Sequence, residues 1–561
     1  MAGIHAYHRT LLLSVLGLLF FIFECRVVTA DQCTAGAGPP SAPTRPQLTG
    51  DQTVEGSLTA QTAQIYDLQA DPGDYVQGSI TGKQLQLVLC DSTGKSIRVL
   101  AKGLRANQDF RFVVGNKGPY QLKVTGPVSE NFRLHLHQLI PENERGATEP
   151  VLESPRLRAL QQTLAQGGST DSFWEEVKKQ GAPLIEQQGV FPPLAEDERL
   201  VTFLWRGARQ RVKLFSAPSG DHDEMQRLGK SDVWFGSYRV PRTARIGYKL
   251  APDIPQLKGS FWERRRAILA TAQHDPFNDH FFPADAVDQF DGESVVELPD
   301  APAQPWIVKN GKNPAGKVER QTFTSQILGN KRDLFIYRPP HFKPASKEHN
   351  LLIVFDGERY VDDVNVPVML DNLIAADKIA PTVAVLISNP SSESRSAELP
   401  CNPLFARFLA EELFPWIQNR QLGTDRKQTM IAGASYGGLA AAYAGLTHPE
   451  LFGKVYSQSG SFWWSPRSTP DKSEVEPEWL TRQFVSAPVK YPVHFHLEAG
   501  LFESNPRGGG SILGTTRHLR DVLQARGHAV TYQEYASGHG YYYWRYSFPD
   551  GLLRLLGTDQ D

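Results

Sequence analysis

Beyond residue 319 the chain alternates short, continuously apolar runs with longer segments of helical period. Leu351-Leu352-Ile353-Val354-Phe355 and Val383-Ala384-Val385-Leu386-Ile387 have no polar side to turn to water, so each has to be covered on both faces, as parallel strands are when helices flank the sheet. Leu404 to Ile417 has the apolar spacing of a helix between such strands. The expectation is an α/β fold over residues 319–561. Within it, the apolar run Thr429-Met430-Ile431-Ala432 leads into Gly433-Ala434-Ser435-Tyr436-Gly437, and Gly438-Leu439-Ala440-Ala441-Ala442-Tyr443-Ala444 follows. A G-x-S-x-G pentapeptide between strand and helix is the setting of a nucleophile elbow. The serine backbone is strained there, and a Cβ on either flanking glycine would strike the adjoining strand or helix. Ser435 reads as the nucleophile, with the Tyr436 N–H aimed where an oxyanion forms. In a chain with 47 glycines the pentapeptide alone would also fit a plain turn; the strand before it and the small-residue helix after it favour the elbow.

The other triad members are expected in the order Ser, acid, His. Past the strand-like run Val493-His494-Phe495-His496-Leu497 come Glu498 and Glu503, and past Val530-Thr531-Tyr532-Gln533-Glu534-Tyr535 comes Ser537-Gly538-His539-Gly540. Both regions follow strand ends on the edge of the sheet that carries Ser435. Of 15 histidines, His539 alone is placed to act as general base, and a carboxylate would fix its tautomer. His494 and His496 alternate within a strand and read as wall residues. Glu503 lies in the loop where a triad acid belongs and is the favoured acid; Glu498, nearer the strand end, is the alternative. The second oxyanion donor is expected after Phe355, in Asp356-Gly357-Glu358-Arg359, with the Glu358 N–H as candidate and Arg359 as a rim cation. A simple turn is the competing reading of Asp356-Gly357.

Several motifs together carry a resemblance. Asp356-Gly357-Glu358, Arg395 through Glu398-Leu399-Pro400-Cys401-Asn402, the elbow, Ser457-Gln458-Ser459-Gly460-Ser461-Phe462-Trp463-Trp464, Leu497-Glu498-Ala499-Gly500 and Gly538-His539 with Trp544-Arg545 resemble enterochelin (enterobactin) esterases. Val201 to Gly207, Asp232-Val233-Trp234 and Asp275-Pro276-Phe277-Asn278 resemble the amino-terminal domain of the cytoplasmic members, so the likeness covers about residues 170–558. It implies hydrolysis of the ester bonds of a ferric tricatecholate trilactone siderophore. Such a substrate is anionic and flat-faced and suits arginines set among aromatic walls: Arg359, Arg395, Arg545, Trp463, Trp464 and Trp544 are the candidates. The chain departs from the family where members carry an aspartate after the histidine, since this position is Gly540, and in having an additional amino-terminal region.

That region opens on His5, His8 and Arg9, the apolar run Leu11 to Phe23, and Val28-Thr29-Ala30 before Asp31. The order is that of a secretory signal spanning residues 1–30, and the run is short for a membrane span; an uncleaved anchor is the alternative. With Cys25 removed, Cys33, Cys90 and Cys401 remain. Cys33 and Cys90 are the expected disulfide, both lying in the added region, and Cys401 the buried thiol. Neither C-x-x-C nor a histidine-rich spacing points to a metal held by protein ligands, and no cofactor is expected beyond iron arriving with the substrate.

Residues 31–47 read as a flexible lead-in and 48–140 as a small β-sandwich, from short alternating segments such as Leu85 to Cys90 and Tyr120 to Val124. This sandwich resembles accessory domains of the pre-peptidase C-terminal type. Residues 141–298 are expected to hold a helical connector, Glu153 to Lys179, and a second β-sandwich, with a Pro-rich linker at 299–318. A net charge of −2 over 561 residues leaves no electrostatic footprint for nucleic acid, and the oligomeric state stays open. The leading expectation is a secreted, periplasmic siderophore esterase. A broader carboxylesterase acting on feruloyl or acetyl carbohydrate esters is the alternative enzyme, and a binding protein with a vestigial triad the non-enzymatic one.

Overall fold

The continuously apolar runs become the centre of one eight-stranded sheet. The computed structural model describes residues 45–558 except 60–62, 104–106, 116–117, 142–151, 219–221, 256–257, 259–260, 345, 347, 424, 467–477, 489, 491 and 505–510. The signal-like segment, the lead-in up to residue 44 and Cys33 lie outside the described residues. We number the strands of this sheet β1 (Lys317–Ser325), β2 (Asn330–Arg338), β3 (Asn350–Phe355), β4 (Thr382–Ile387), β5 (Thr429–Ala434), β6 (Lys454–Gln458), β7 (His494–Gly500) and β8 (Ala529–Tyr535). Their spatial order is β1-β2-β4-β3-β5-β6-β7-β8. The first three are antiparallel neighbours, and from β4 to β8 every pairing is parallel. Every residue of β3, β4 and β5 is buried, which is why these strands show no alternation. Leu351, Ile353, Phe355, Ile431 and Phe408 belong to the core on one face, and Leu352, Val354, Met430, Tyr456, Phe548 and Leu552 to that on the other.

The helix expected from Leu404 to Ile417 forms as three consecutive pieces, Pro403–Arg407, a wider π turn Phe408–Leu413, and Phe414–Asn419. Pro415 lies in the first turn of the last piece, where its missing N–H costs least. The single connector expected from Glu153 to Lys179 is two helices instead, Pro155–Ala165 and Asp171–Gln180. Gly167 with φ +82° turns the chain between them, a conformation open to glycine and strained for other residues. Phe173 and Trp174 are buried as expected, and Trp174 stacks on Phe277 at 5.0 Å.

By residue contacts the chain divides at Val151 and Leu152. The first unit holds two sheets, one of five strands built around Tyr120–Thr125 and one of four around Asn131–Ile140, enclosing Leu87, Phe110, Leu122 and Leu134. Cys90 is disulfide-bonded and Cys401 is a buried free thiol. The second unit contains the eight-stranded sheet and, ahead of it, a β-domain of a four-stranded and a five-stranded sheet. In this β-domain the Asp275-Pro276-Phe277-Asn278 motif forms a buried polar knot: Tyr248 donates to Asp275 at 2.8 Å and Asn278 donates to the Tyr248 oxygen at 3.1 Å.

One ion pair ties β2 to the helices that flank the sheet. Arg332 of β2 is buried and donates to Glu398 at 2.7 Å, while its guanidinium lies 4.9 Å from the Phe408 ring. Removing one partner of a buried pair leaves an uncompensated charge and costs about 3–5 kcal/mol. Glu398→Ala is therefore expected to destabilise the full chain by that amount in urea unfolding, and adding Arg332→Met should recover much of the loss. An unchanged unfolding midpoint in Glu398→Ala would show that the pair contributes nothing.

Candidate active site

Ser435 lies between the last residue of β5, Ala434, and the helix Tyr436–Thr447, which it caps with φ 56° and ψ −118°. That backbone is strained for an L-residue, and close packing holds it: a Cβ on Gly433 would lie 2.7 Å from the Gly437 carbonyl carbon. The Ser435 N–H donates to Gln458 at 3.0 Å, and its carbonyl accepts from Leu439 and Ser461 at 3.0 Å each. The elbow is thus pinned to the loop after β6. Ser435 Oγ also faces Ser461 Oγ at 3.2 Å. Ser461 had no assigned role in the sequence reading; its signal was the dense run Ser457-Gln458-Ser459-Gly460-Ser461, where three hydroxyls flank a buried amide.

Glu503 ends a short 3-10 turn after β7, and its side chain is almost fully buried. One carboxylate oxygen accepts from the Gly500 N–H at 2.6 Å, and the other lies 2.6 Å from His539 Nδ1. The carboxylate is therefore fixed by the backbone before it meets the imidazole, which leaves Nε2 as the ring nitrogen able to exchange a proton. The imidazole stands edge-on to Trp544 at 4.8 Å. No hydrogen bond joins His539 to Ser435 among the described residues, an open geometry common in sites without substrate.

Glu498 is placed differently. It is buried and accepts from Tyr456 at 2.6 Å, Gln458 at 3.0 Å and Ser547 at 2.5 Å. Burial raises its carboxyl to about 7. This is a network bracing β6, β7 and the last helix, Tyr541–Leu556, and Glu498 makes no contact with His539 in it. His496 is likewise internal, with Nδ1 2.8 Å from Thr531 Oγ1.

The oxyanion candidates both occupy helix starts. Tyr436 opens the elbow helix, and Glu358 lies in the first turn of Gly357–Asp362, where N–H groups lack intrahelical acceptors. Asp356, with φ 56°, was quoted in the sequence without a role. It is buried and holds Arg395 through two bonds of 2.7 and 2.8 Å, and Asn389 donates to it at 2.6 Å. Arg395 is accordingly a brace between the loops after β3 and β4, lying 5.9 Å from the Tyr436 ring, and its charge is already matched.

The remaining candidates divide. Arg359 pairs with Asp363 and lies 4.7 Å from the Tyr541 ring on the exposed rim. Trp463 packs 6.2 Å from Tyr436, while Trp464 turns to Trp479 and the core. Trp544 is buried and donates from Nε1 to Ser459 at 3.1 Å, forming a wall behind His539. Arg545, one residue on, projects from another face of the helix into a groove of about 920 Å³ shared with Phe281, Phe282, Tyr542 and Tyr546. The structure therefore gathers Ser435, Tyr436, Trp463, Glu503, His539 and Trp544 around the sheet edge and sets Trp464 and Arg545 aside. Among the described residues no group of His, Cys, Asp and Glu could hold a metal ion, and no helix is long and apolar enough to cross a membrane.

The family model described as "Putative esterase" matches residues 325–555, and that described as "Enterochelin esterase, N-terminal" matches 200–307. The chain is 31% identical to the iron(III) enterobactin esterase of Dickeya dadantii over 69% of this chain and 93% of that protein. It is 30% identical to the iron(III) salmochelin esterase of Escherichia coli over 72% and 98%. The crystal structure of the ferric enterobactin esterase of Salmonella typhimurium superposes with a TM-score of 0.54 at 26% identity, covering 69% of this chain and 98% of that one. With this identity across nearly the whole length of such relatives, the chain belongs to the enterobactin esterase family and is a carboxylic ester hydrolase.

Proposed function

We propose that this chain hydrolyses the ester bonds of a catecholate trilactone siderophore, through an acyl-enzyme on Ser435. The observation that carries the reading is the Glu503–His539 pair, 2.6 Å apart, on the sheet edge where Ser435 is held at φ 56°. Its support from relatives is that they are named for iron(III) enterobactin and iron(III) salmochelin, and that a Shigella flexneri esterase 27% identical to this chain was crystallised in the presence of enterobactin.

In this mechanism His539 Nε2 takes the Ser435 hydroxyl proton as Oγ attacks the ester carbonyl. The Tyr436 and Glu358 N–H groups receive the charge that develops on the carbonyl oxygen. His539 then gives the proton to the departing seryl hydroxyl, and the same steps with water release the acid and restore Ser435. Glu503 stabilises the imidazolium formed on the way. Tyr436, Trp463 and Arg359 offer a flat face and a rim cation to a catecholate; iron, where present, is part of the substrate. Opening the ring loosens a preorganised chelate, so hydrolysis supports iron release. We also place the mature protein outside the inner membrane, in the periplasm, on the strength of the basic start, the apolar run and Val28-Thr29-Ala30.

Incubated with ferric and iron-free trilactone, Ser435→Ala and His539→Ala should each lose several orders of magnitude in kcat, with the double variant little worse because the pair acts as a unit. Near-normal turnover by either single variant would reject the assignment. Glu503→Gln should lower kcat by about 10³- to 10⁴-fold, whereas Glu498→Gln should alter thermal stability far more than turnover; the reverse ranking would move the acid to Glu498. Amino-terminal sequencing of the exported protein should begin at or near Asp31, and recovery of the full-length chain from the cytosol would exclude export.

A further inference from the structure

The nucleophile has a second hydroxyl beside it. Ser461 Oγ lies 3.2 Å from Ser435 Oγ, and the Ser461 N–H donates to the Ser435 carbonyl at 3.0 Å. The backbone bond thus anchors the residue whose side chain reaches the nucleophile. Ser461 is 2% exposed whereas Ser435 is half-buried. Ser461 therefore stands on the interior side of the reacting oxygen and leaves its open side to an ester.

The loop that carries Ser461 is held at several points. Ser459 has φ 47°, a positive value that a residue with a side chain keeps only where its surroundings enforce it. Its N–H donates to the Glu498 carbonyl at 3.0 Å, and its Oγ accepts from Trp544 Nε1 at 3.1 Å, the indole that stands edge-on to His539. Gly460 has no room for a side chain, since a Cβ there would lie 2.5 Å from Ser457 Oγ and from the Phe462 ring. The Ser461 carbonyl accepts from the Trp464 N–H at 3.0 Å. One short loop is thereby bonded to the nucleophile at Ser461 and to the wall behind His539 at Ser459.

A serine hydroxyl carries one proton and two lone pairs. The Ser435 proton has to leave for His539 Nε2, and one lone pair forms the bond to the ester carbon, so one lone pair is left to accept. Ser461 is placed to donate to it. At 3.2 Å the contact is longer than a settled hydroxyl bond of roughly 2.7–2.8 Å. It strengthens as charge collects on Ser435 Oγ, because hydrogen bonds to an ionised acceptor are shorter and stronger. An interaction that is stronger in the transition state than in the ground state is the kind that speeds a chemical step.

We propose that Ser461 is a further catalytic residue, whose hydroxyl donates to Ser435 Oγ whenever that oxygen carries charge. The proposal rests on Ser435 as nucleophile and holds for any ester. In acylation the Oγ–C bond forms as the Oγ proton passes to His539 Nε2 and the carbonyl π pair moves onto the oxyanion oxygen. In deacylation water gives a proton to His539 and adds to the carbonyl carbon; the C–Oγ bond then breaks with its electron pair on Ser435 Oγ, which recovers a proton from His539. Ser461 keeps its own proton throughout. Charge reaches Oγ in both half-reactions, so loss of the donor slows both. A residue that only aimed the free hydroxyl would slow acylation alone, since Oγ is already covalently placed in the acyl-enzyme.

The test is rapid mixing of the full chain with a p-nitrophenyl ester, whose burst reports acylation and whose steady rate reports deacylation, with thermal unfolding followed in parallel. Ser461→Ala removes Oγ and keeps the backbone bond to Ser435. It should fold, give a full burst amplitude and lower both rates by about 10- to 100-fold, the worth of one hydrogen bond to a charged acceptor. KM should hardly change, because both steps slow together. Ser461→Cys fills the same space with a weak donor; it should also be slow in both phases, and it carries the test if the alanine variant does not fold. A wild-type rate in either phase of either folded variant would overturn the proposal and leave Ser461 as packing. A burst that survived Ser435→Ala would instead remove the nucleophile on which the proposal rests.

Discussion

The elbow depends on how closely two backbones can approach. Ser435 can sit at φ 56° because Gly433 and Gly437 let the end of β5 and the start of the next helix nearly touch. Gly438 continues the contact: a Cβ there would lie 2.5 Å from Ser457 Oγ and 3.1 Å from the Gly460 Cα. The strain is thus held by bonds and packing from β6 and its loop, with Gln458 accepting from the Ser435 N–H and itself fixed by Tyr360 at 2.6 Å. A strained serine persists only when its surroundings over-determine it. Here those surroundings are the fully buried parallel strands.

Electrostatic braces organise the same edge. Arg395 with Asp356 fixes the loops after β3 and β4, and Glu498 with Tyr456, Gln458 and Ser547 fixes the last helix to β6 and β7. Each acid is satisfied by several donors, which is what makes a buried carboxylate tolerable. In the Glu503–His539 pair the carboxylate is buried while the imidazole remains partly open to solvent, as a group that must trade protons requires.

Much of this was legible in the sequence for physical reasons. Continuous apolar runs favour strands covered on both faces, G-x-S-x-G between such a strand and a small-residue helix favours an elbow over a plain turn, and Glu503 and His539 follow strand ends on the edge that carries Ser435. What the chain could not announce is contact across distance. Arg395 looked like a free cation because its partner Asp356 lies 39 residues away. Trp544 and Arg545 looked like one unit, yet a helix turns adjacent residues by about 100°, sending the first behind His539 and the second into the groove beside Phe281. The expected single connector from Glu153 to Lys179 breaks at Gly167, whose φ of +82° turns the chain between two helices. The bond from Gly247 to the Tyr543 hydroxyl has no local signal at all, being a property of how two layers meet.

That meeting has a consequence for how the enzyme fails. The Tyr543 hydroxyl closes both hydrogen-bonding groups of Gly247, and Arg245 lies 3.9 Å from the Tyr546 ring on the same helix. The helix that begins two residues after His539 is thereby sewn to the β-domain over about one turn. Loosening of the β-domain would remove these tethers from the helix that follows the imidazole, even with the parallel sheet intact. The durability of the catalyst therefore depends in part on residues that never touch an ester.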